Sequence, residues 1–179
     1  MQIQYKRLTS LNFNVNSLND FKRHQIIHET WRNLDGQWKL IPNEFEENWT
    51  VDECQKLAAD IVNHMENDQT AFGAFAGDQI VGFITVSHHL FGKTARYAQL
   101  ICFQVSEPFR GQGIGRRLFA LVADEIVKIG ADKLYISAHS SKESQAAYRA
   151  LGCTFATEIN KTLADEEPFD VQMEYSRKD

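Results

Sequence analysis

Apolar positions along this chain recur with two periods, and the switches between them lay out the elements. Ile3 and Tyr5 alternate with Gln4 and Lys6, as a strand over Ile3–Leu8 would. Over Leu18–Trp31 the period is looser and is read as helical, and an aromatic-rich loop punctuated by Gly36 and Pro42 follows from 33 to 49. Thr50 and Glu53 then make a capping box, ahead of Cys54, Leu57, Ala58, Ile61 and Met65 on one helical face. Runs of β-formers over Thr70–Ala76 and Ile80–Val86 flank Gly77-Asp78, a favoured two-residue turn, and predict a hairpin. A loop over Ser87–Thr94 leads into Ala95–Val105, the central strand of this reading.

The second half changes rhythm. Ile114, Leu118, Val122, Ile126 and Ile129 fall on one face of a helix, and Gly130 sits where a left-handed cap is wanted. Lys133–Ala138 alternates Leu134, Ile136 and Ala138 as a strand. Ser140 and Glu143 offer a capping box for a helix closing on Gly152, and Thr154–Ile159 with Phe169–Tyr175 read as a last strand pair. Strands that first meander and then alternate with helices predict an α/β class with a mixed sheet of about seven strands.

Composition narrows the classes. A length of 179 residues suits a single domain over 1–179, with 43% hydrophobic and 24% charged residues. The net charge of −5 argues against nucleic acid as a partner, so any anion site is a local arrangement. The N-terminus lacks a secretion pattern and no apolar run approaches a membrane span, so a soluble, cytoplasmic protein is expected. Cys54, Cys102 and Cys153 are widely spaced and read as buried small hydrophobes, not as a disulfide or zinc set, and no metal is expected.

The chemistry concentrates between the central strand and the next helix. Gly111, Gly113 and Gly115 alternate in a turn that opens a helix, with Arg110, Arg116 and Arg117 around it. Glycines allow backbone amides to approach a ligand, and the free amides of a helix start carry partial positive charge. Such a turn cradles a phosphate or pyrophosphate. It is not a P-loop, because Arg116-Arg117 stands where Lys-Ser or Lys-Thr is needed. Nor is it a dinucleotide turn: the third glycine comes one residue early, and Asp132 precedes the next strand instead of ending it.

Arg110-x-x-Gly113-x-Gly115 after a strand ending at Val105 resembles the acetyl-CoA signature of the GNAT superfamily of N-acetyltransferases. Ser144-Gln-Ala-Ala-Tyr148-Arg-Ala-Leu151-Gly152-Cys153 resembles that family's second signature, and the likeness covers roughly residues 70–156. It implies a central, mostly antiparallel sheet with helices on both faces. An acceptor-side segment over about 1–69 would precede the acetyl-CoA-binding core, and the strand pair over 154–175 would close the chain. It further implies that the central strand and Lys133–Ala138 splay apart, with acetyl-CoA as co-substrate in the gap. Phe103, Gln104 and Val105 would then line the pantetheine arm, and Arg110, Gly111, Gln112, Gly113, Ile114, Gly115 and Arg116 would take the pyrophosphate. Ser141, where relatives often carry asparagine, and Ser144 would add hydrogen bonds.

The activity implied is acetyl transfer to a primary amine of a small molecule or peptide, with Tyr148 as the acid that protonates the departing thiolate. A free phenol with pKa near ~10 keeps its proton at neutral pH. Gln99 stands where some relatives carry a glutamate, so the base is open among Glu44, Glu46, Glu47, His88 and His89. That glutamine also supports a rival reading, a non-catalytic CoA-binding or sensor module. Trp38, Glu44, Glu46 and Glu47 in the aromatic loop are candidates to hold a cationic amine. The resemblance leaves room for a homodimer.

Overall fold

The structure, a computed structural model, describes residues 2–177. In chain order they form β1 (Ile3–Arg7), β2 (His24–Leu34), β3 (Gln37–Asn48), α1 (Val51–His64), β4 (Gln69–Ala76), β5 (Gln79–Phe91), β6 (Tyr97–Val105), α2 (Ile114–Lys128), β7 (Lys133–Ala138), α3 (Lys142–Ala150), β8 (Thr154–Phe155), α4 (Lys161–Glu166) and β9 (Val171–Ser176). Seven strands pair in the order β1-β4-β5-β6-β7-β9-β8, while β2 and β3 form a separate hairpin. Every pairing in the large sheet is antiparallel except β6 with β7. The expected mixed, mostly antiparallel sheet is therefore present.

Alternation across the strands splits the core into two layers. On one face α2 buries Ile114, Leu118, Val122 and Ile126 against Ile84, Val86, Leu100, Leu134 and Ile136. On the other, α1 buries Cys54, Ala58, Ile61 and Met65 against Ala71, Phe75 and Phe83, with Leu8, Phe13, Leu18 and Phe21 closing that layer. Fully buried side chains such as Leu118 and Ile126 each contribute about 1.5–3 kcal/mol. The capping box of α1 forms as expected, Thr50 Oγ1 accepting from the Glu53 amide and Glu53 from that of Thr50. No helix among the described residues is long and apolar enough to cross a membrane.

The two parallel strands stay together only at their base. Pairing of β6 with β7 runs from Tyr97↔Lys133 to Gln99↔Tyr135 and stops. Below the split, the Tyr97 hydroxyl donates to Glu174 at 2.7 Å and Lys133 pairs with the same carboxylate at 2.7 Å, tying both strands to β9. Beyond it, each strand follows its outer neighbour: β6 stays on β5 through Gly82↔Val105, and β7 on β9 through Ala138↔Val171. The register also skips Ile101, between Thr85↔Cys102 and Val86↔Leu100, and such a bulge bends its strand. A gap opens between the upper halves of β6 and β7.

Five sequence expectations change, one of them the cap of the helix closing on Gly152, which is Ser141 accepting from the Ser144 amide and not Ser140 with Glu143. Leu18–Trp31 is not a helix: turns lead to Asp20, and β2 follows. Its irregularity between Ile27 and Glu29 explains the misreading, because Arg23, Ile27 and Thr30 are buried at helical intervals although the chain is extended. The aromatic loop is instead a strand of this hairpin, turning at Asp35 (φ 53°) and Gly36 (φ 81°), with Pro42 placed at the irregularity where no regular ladder is interrupted. The loop over Ser87–Thr94 is largely strand, since β5 continues to Phe91. Near the C-terminus, Thr154–Ile159 shortens to the two residues of β8, and Asn160 caps the unexpected α4.

Candidate active site

The inner edge of β6 is left with unpaired backbone. The Ser106 amide donates to Val81 O at 2.8 Å and the Cys102 amide to Thr85 Oγ1 at 3.1 Å, both toward β5. By the alternation of an antiparallel ladder, the N–H and C=O of Phe103 and Val105 point the opposite way, into the gap.

At the end of β6 the chain makes a 3₁₀ turn over Glu107–Phe109 and enters the glycine run. Gly111 (φ 75°) and Gly113 (φ 80°) both lie in the left-handed region, and a Cβ at either would meet no atom within 4 Å. The close face of this turn is therefore open space bounded by backbone. Gly113 is the N-cap of α2, so the first amides of that helix border the same space. Gly115 has a different reason to be small: its Cβ would come within 3.3 Å of the Phe103 ring.

Gap and turn form one cavity of about 590 Å³. Of the residues expected to bind the cofactor, Phe103, Gln104, Val105, Arg110, Gly111, Gly113, Ile114, Gly115, Arg116 and Ser144 line it, as does Tyr148 from α3. Tyr148 stands edge-on to Phe103, ring centroids 6.2 Å apart. Burial, reinforced by the nearby Cys102 and Cys153, pushes the Tyr148 phenol above its ordinary value, so it stays protonated. Burial likewise holds the Cys102 thiol up at about 12.

Other expected residues stand elsewhere. Ser141 is wholly buried as the N-cap of α3: its hydroxyl accepts from the Ser144 amide at 3.2 Å and donates to Ser144 Oγ at 2.9 Å. It does not line the cavity, and Ser144 does. Gln112 is exposed and donates to Pro108 O at 3.2 Å. Arg110 is folded back, Nε donating to Val105 O at 3.0 Å and Nη1 to His24 O at 2.7 Å. Its guanidinium braces the end of β6, and burial lowers its pKa.

The acidic hairpin is placed mostly off the cavity. Trp38 stacks on Phe155 at 5.8 Å, Glu44 faces solvent beside His28, and Glu46 accepts from His24 at 2.8 Å. None of the four lines the cavity; Glu47 is joined to it through two residues that do, pairing with Arg23 at 2.6 Å and His139 at 3.1 Å. His88 lies in another cluster, bonded to Thr70 at 2.8 Å.

Arg23, Gln25, Phe109, His139 and Glu143 also line the cavity and were not expected at a binding site. Arg23 and Gln25 were hidden inside a misassigned helix, and His139 ends β7 with no motif around it. The His139 Nδ1 accepts from the Ser141 amide at 3.1 Å, so its Nε2 carries the proton toward Glu47. Asp170 nearby is held above the usual carboxyl range by burial, against the charge of His139.

The hairpin reaches this place by bridging the gap. On one side the Lys22 amide donates to Ser106 Oγ at 2.9 Å and Glu107 N to Lys22 O at 2.8 Å. On the other, the Trp31 amide donates to Ser140 O at 2.8 Å and Arg32 Nη1 to Ser140 Oγ at 2.7 Å. A strand crosses from the β6 bank to the α3 bank and walls the cavity on the α1 side.

Comparison with known proteins agrees with this architecture. The structure superposes on nourseothricin acetyltransferase with a TM-score of 0.71 at 18% identity, covering 98% of this chain and 99% of that one. A Bacillus anthracis protein proposed to be a streptothricin acetyltransferase, solved with acetyl coenzyme A, gives 0.71 at 14% identity over 99% and 100% of the two chains. PaiA N-acetyltransferase from Thermoplasma acidophilum, solved with coenzyme A, gives 0.60 at 14% identity over 99% and 100%. No curated protein sequence matches the chain. The profile described as the acetyltransferase (GNAT) family matches residues 27–153, most of the sequence and all of the cavity's glycine turn and α3. On that match, this chain belongs to the GNAT family of acetyltransferases.

Proposed function

We propose that the protein transfers the acetyl group of acetyl-CoA to a primary amine of a small molecule or peptide, with Tyr148 as the acid that protonates the CoA thiolate. The observation that carries this reading is the single cavity in which a free strand edge, an open glycine turn and a protonated tyrosine meet.

The residues fit the co-substrate. Phe103 offers both backbone groups to an extended amide chain, as an added strand would use them. Arg110 already engages the Val105 carbonyl, which leaves the Val105 N–H to polarise the thioester carbonyl. The pyrophosphate would take the open space at Gly111 and Gly113, facing the first amides of α2, with Arg116 adding charge from the cavity wall.

The amine attacks the thioester carbonyl, the developing oxyanion is held by the Val105 amide, and the C–S bond breaks as the Tyr148 proton moves to sulfur. The ammonium formed on the acceptor must lose a proton, and Glu47 is the one acid of the hairpin positioned to pass it toward water.

The test is CoA thiol release from acetyl-CoA over a panel of polyamines, aminoglycosides, amino acids and peptide N-termini. Nourseothricin and streptothricin are added because structural neighbours bear those names. Amine-dependent release with an acetylated product of matching mass is expected. Tight acetyl-CoA binding without transfer to any amine would instead make the domain a non-catalytic CoA binder.

A further inference from the structure

The acceptor side of the cavity contains a charged group with unused hydrogen-bonding capacity. Arg23 lines the cavity and is only 8% exposed. Its Nη2 is taken by Glu47 at 2.6 Å, and its guanidinium lies over the Trp49 ring at 5.8 Å. Nε and Nη1 are buried and have no hydrogen-bond partner among the described residues. Buried guanidinium N–H groups left unpaired cost stability, and a fold keeps such a cost where a ligand removes it.

A guanidinium has donors and no acceptor, so what satisfies it must be an oxygen with free lone pairs. On the reading above, the co-substrate lies elsewhere. Its proposed contacts are the gap-facing edge of β6 and the glycine turn, whereas Arg23 belongs to the bridging hairpin beside Trp49, which packs against the α1 layer. An ammonium has no lone pair to offer these donors. An acceptor whose attacking amine is accompanied by an oxygen meets these requirements.

Resting on the transferase reading above, we propose that Arg23 is an acceptor-binding residue. In this assignment its Nε–H and Nη1–H groups hold a carbonyl or carboxylate oxygen of the amine substrate, so the substrate is amino-acid-like or peptide-like and not a plain polyamine. Glu47 has two functions here: it fixes the guanidinium plane and offsets its charge. Offsetting the charge lets a neutral carbonyl serve as well as a carboxylate, and it keeps the incoming ammonium from being expelled.

The probes are amines with and without a carboxylate or carboxamide beside the amine, compared per unprotonated amine: lysine, lysinamide and cadaverine in one set, phenylalaninamide and phenethylamine in another. Acetyl-CoA turnover is measured for each with wild type, Arg23→Lys and Arg23→Met. One hydrogen bond to a charged group is worth about 10–100-fold, so kcat/KM for the oxygen-bearing member should exceed that of its partner by this factor. The ratio should fall toward one in Arg23→Met. Arg23→Lys, which keeps the charge against Glu47, should lose most of the ratio too, and it stands in if the Met variant melts early. Lysine against lysinamide separates carboxylate from carbonyl recognition. The inference is overturned if cadaverine and phenethylamine are used as well as their partners, or if the ratio survives in both variants. Failure of every amine, with acetyl-CoA bound, would instead remove the transferase reading and this inference with it.

Discussion

Replacing Gly113 by alanine separates two demands that one glycine can meet, a left-handed backbone and an empty space. The left-handed conformation costs an L-residue about 1–2 kcal/mol. At about 2–4 °C per kcal/mol for a chain of this size, the melting temperature should drop by about 2–8 °C. Nothing lies within 4 Å of the new Cβ, so no protein clash adds to that figure. Gly36 provides the control, since it has φ +81° against +80° and is equally unobstructed, but sits at the tip of the β2–β3 hairpin. The two alanine variants should therefore melt alike. Only Gly113→Ala places a methyl group where the pyrophosphate would sit. Separating phosphate oxygens from two backbone amides, at about 1.5–3 kcal/mol for each hydrogen bond to a charged group, amounts to about 10²–10⁴-fold in affinity. Calorimetric titration with acetyl-CoA, alongside thermal melts of both variants, gives both readouts. Wild-type affinity in Gly113→Ala, or an equal loss in Gly36→Ala, would refute the placement of the phosphates.

Three further outcomes are expected. Tyr148→Phe should bind acetyl-CoA normally and lose about 10²–10⁴-fold in turnover, and wild-type turnover should show no basic limb from this phenol up to about pH 10, because burial raises its pKa; steady-state pH profiles decide both. Iodoacetamide should label Cys102 and Cys153 far more slowly than a free thiol at pH 8, since burial holds both at about 12; quantitative labelling within minutes would contradict this. Glu125 is 3% exposed, and although burial opposes its ionisation, hydrogen bonds from Lys128 and Thr70 and the charge of Arg7 hold its pKa below the ordinary 4.5. Its contribution to stability is therefore present above about pH 4.5 and lost as pH falls through the lower folded value. Glu125→Gln should cost about 1–3 kcal/mol at neutral pH and flatten the acid limb of the melting curve, a loss kept modest because Arg7 and Lys128 are exposed and regain water.

The cofactor half of the cavity was legible in the sequence because its requirements are local. A left-handed turn needs glycine at Gly111 and Gly113, a helix start follows within three residues, and the apolar strand before it is continuous, so one window of sequence holds the whole device. Tyr148 was expected only through the resemblance of residues 144–153 to the family's second signature, since its spacing alone reads as a core aromatic of a short helix. The gap itself was expected from the resemblance, and its physical origin became clear only in the pairing: the β6–β7 ladder ends at Gln99↔Tyr135 while each strand keeps its outer partner. The acceptor half was not legible. Its residues come from distant elements, and the irregularity at Ile27–Glu29 gave a strand the burial spacing of a helix. Asp35-Gly36 was the one local signal that could have corrected this, since an Asp-Gly pair with both residues at positive φ marks a two-residue hairpin turn.

That missed strand changes how the two halves of the cavity depend on each other. Beyond Gln99 no ladder joins β6 to β7, so backbone pairing does not fix the width of the gap there. What spans it is β2, anchored at Ser106 and Glu107 on one bank and at Ser140 and Ser141 on the other. The same anchors fix other parts of the cavity. Arg110 holds the carbonyls of both Val105 and His24, and Ser141, which caps α3 and so orients Tyr148, pairs with Thr30 of the hairpin. A change in the hairpin's register would therefore move Arg23, on the proposed acceptor side, together with its partner Glu47, and would also pull on the strand edge and the tyrosine. A change confined to the Arg23 side chain leaves those anchors in place and alters only the proposed acceptor side, whereas Gln25 also donates to the Ser141 hydroxyl at 3.4 Å and so touches the cap of α3. On the proposed reading, changes that retune the acceptor would fall on cavity-facing side chains such as Arg23, while the backbone contacts of Lys22 to Ser106 and Glu107 and of Trp31 to Ser140 stay fixed.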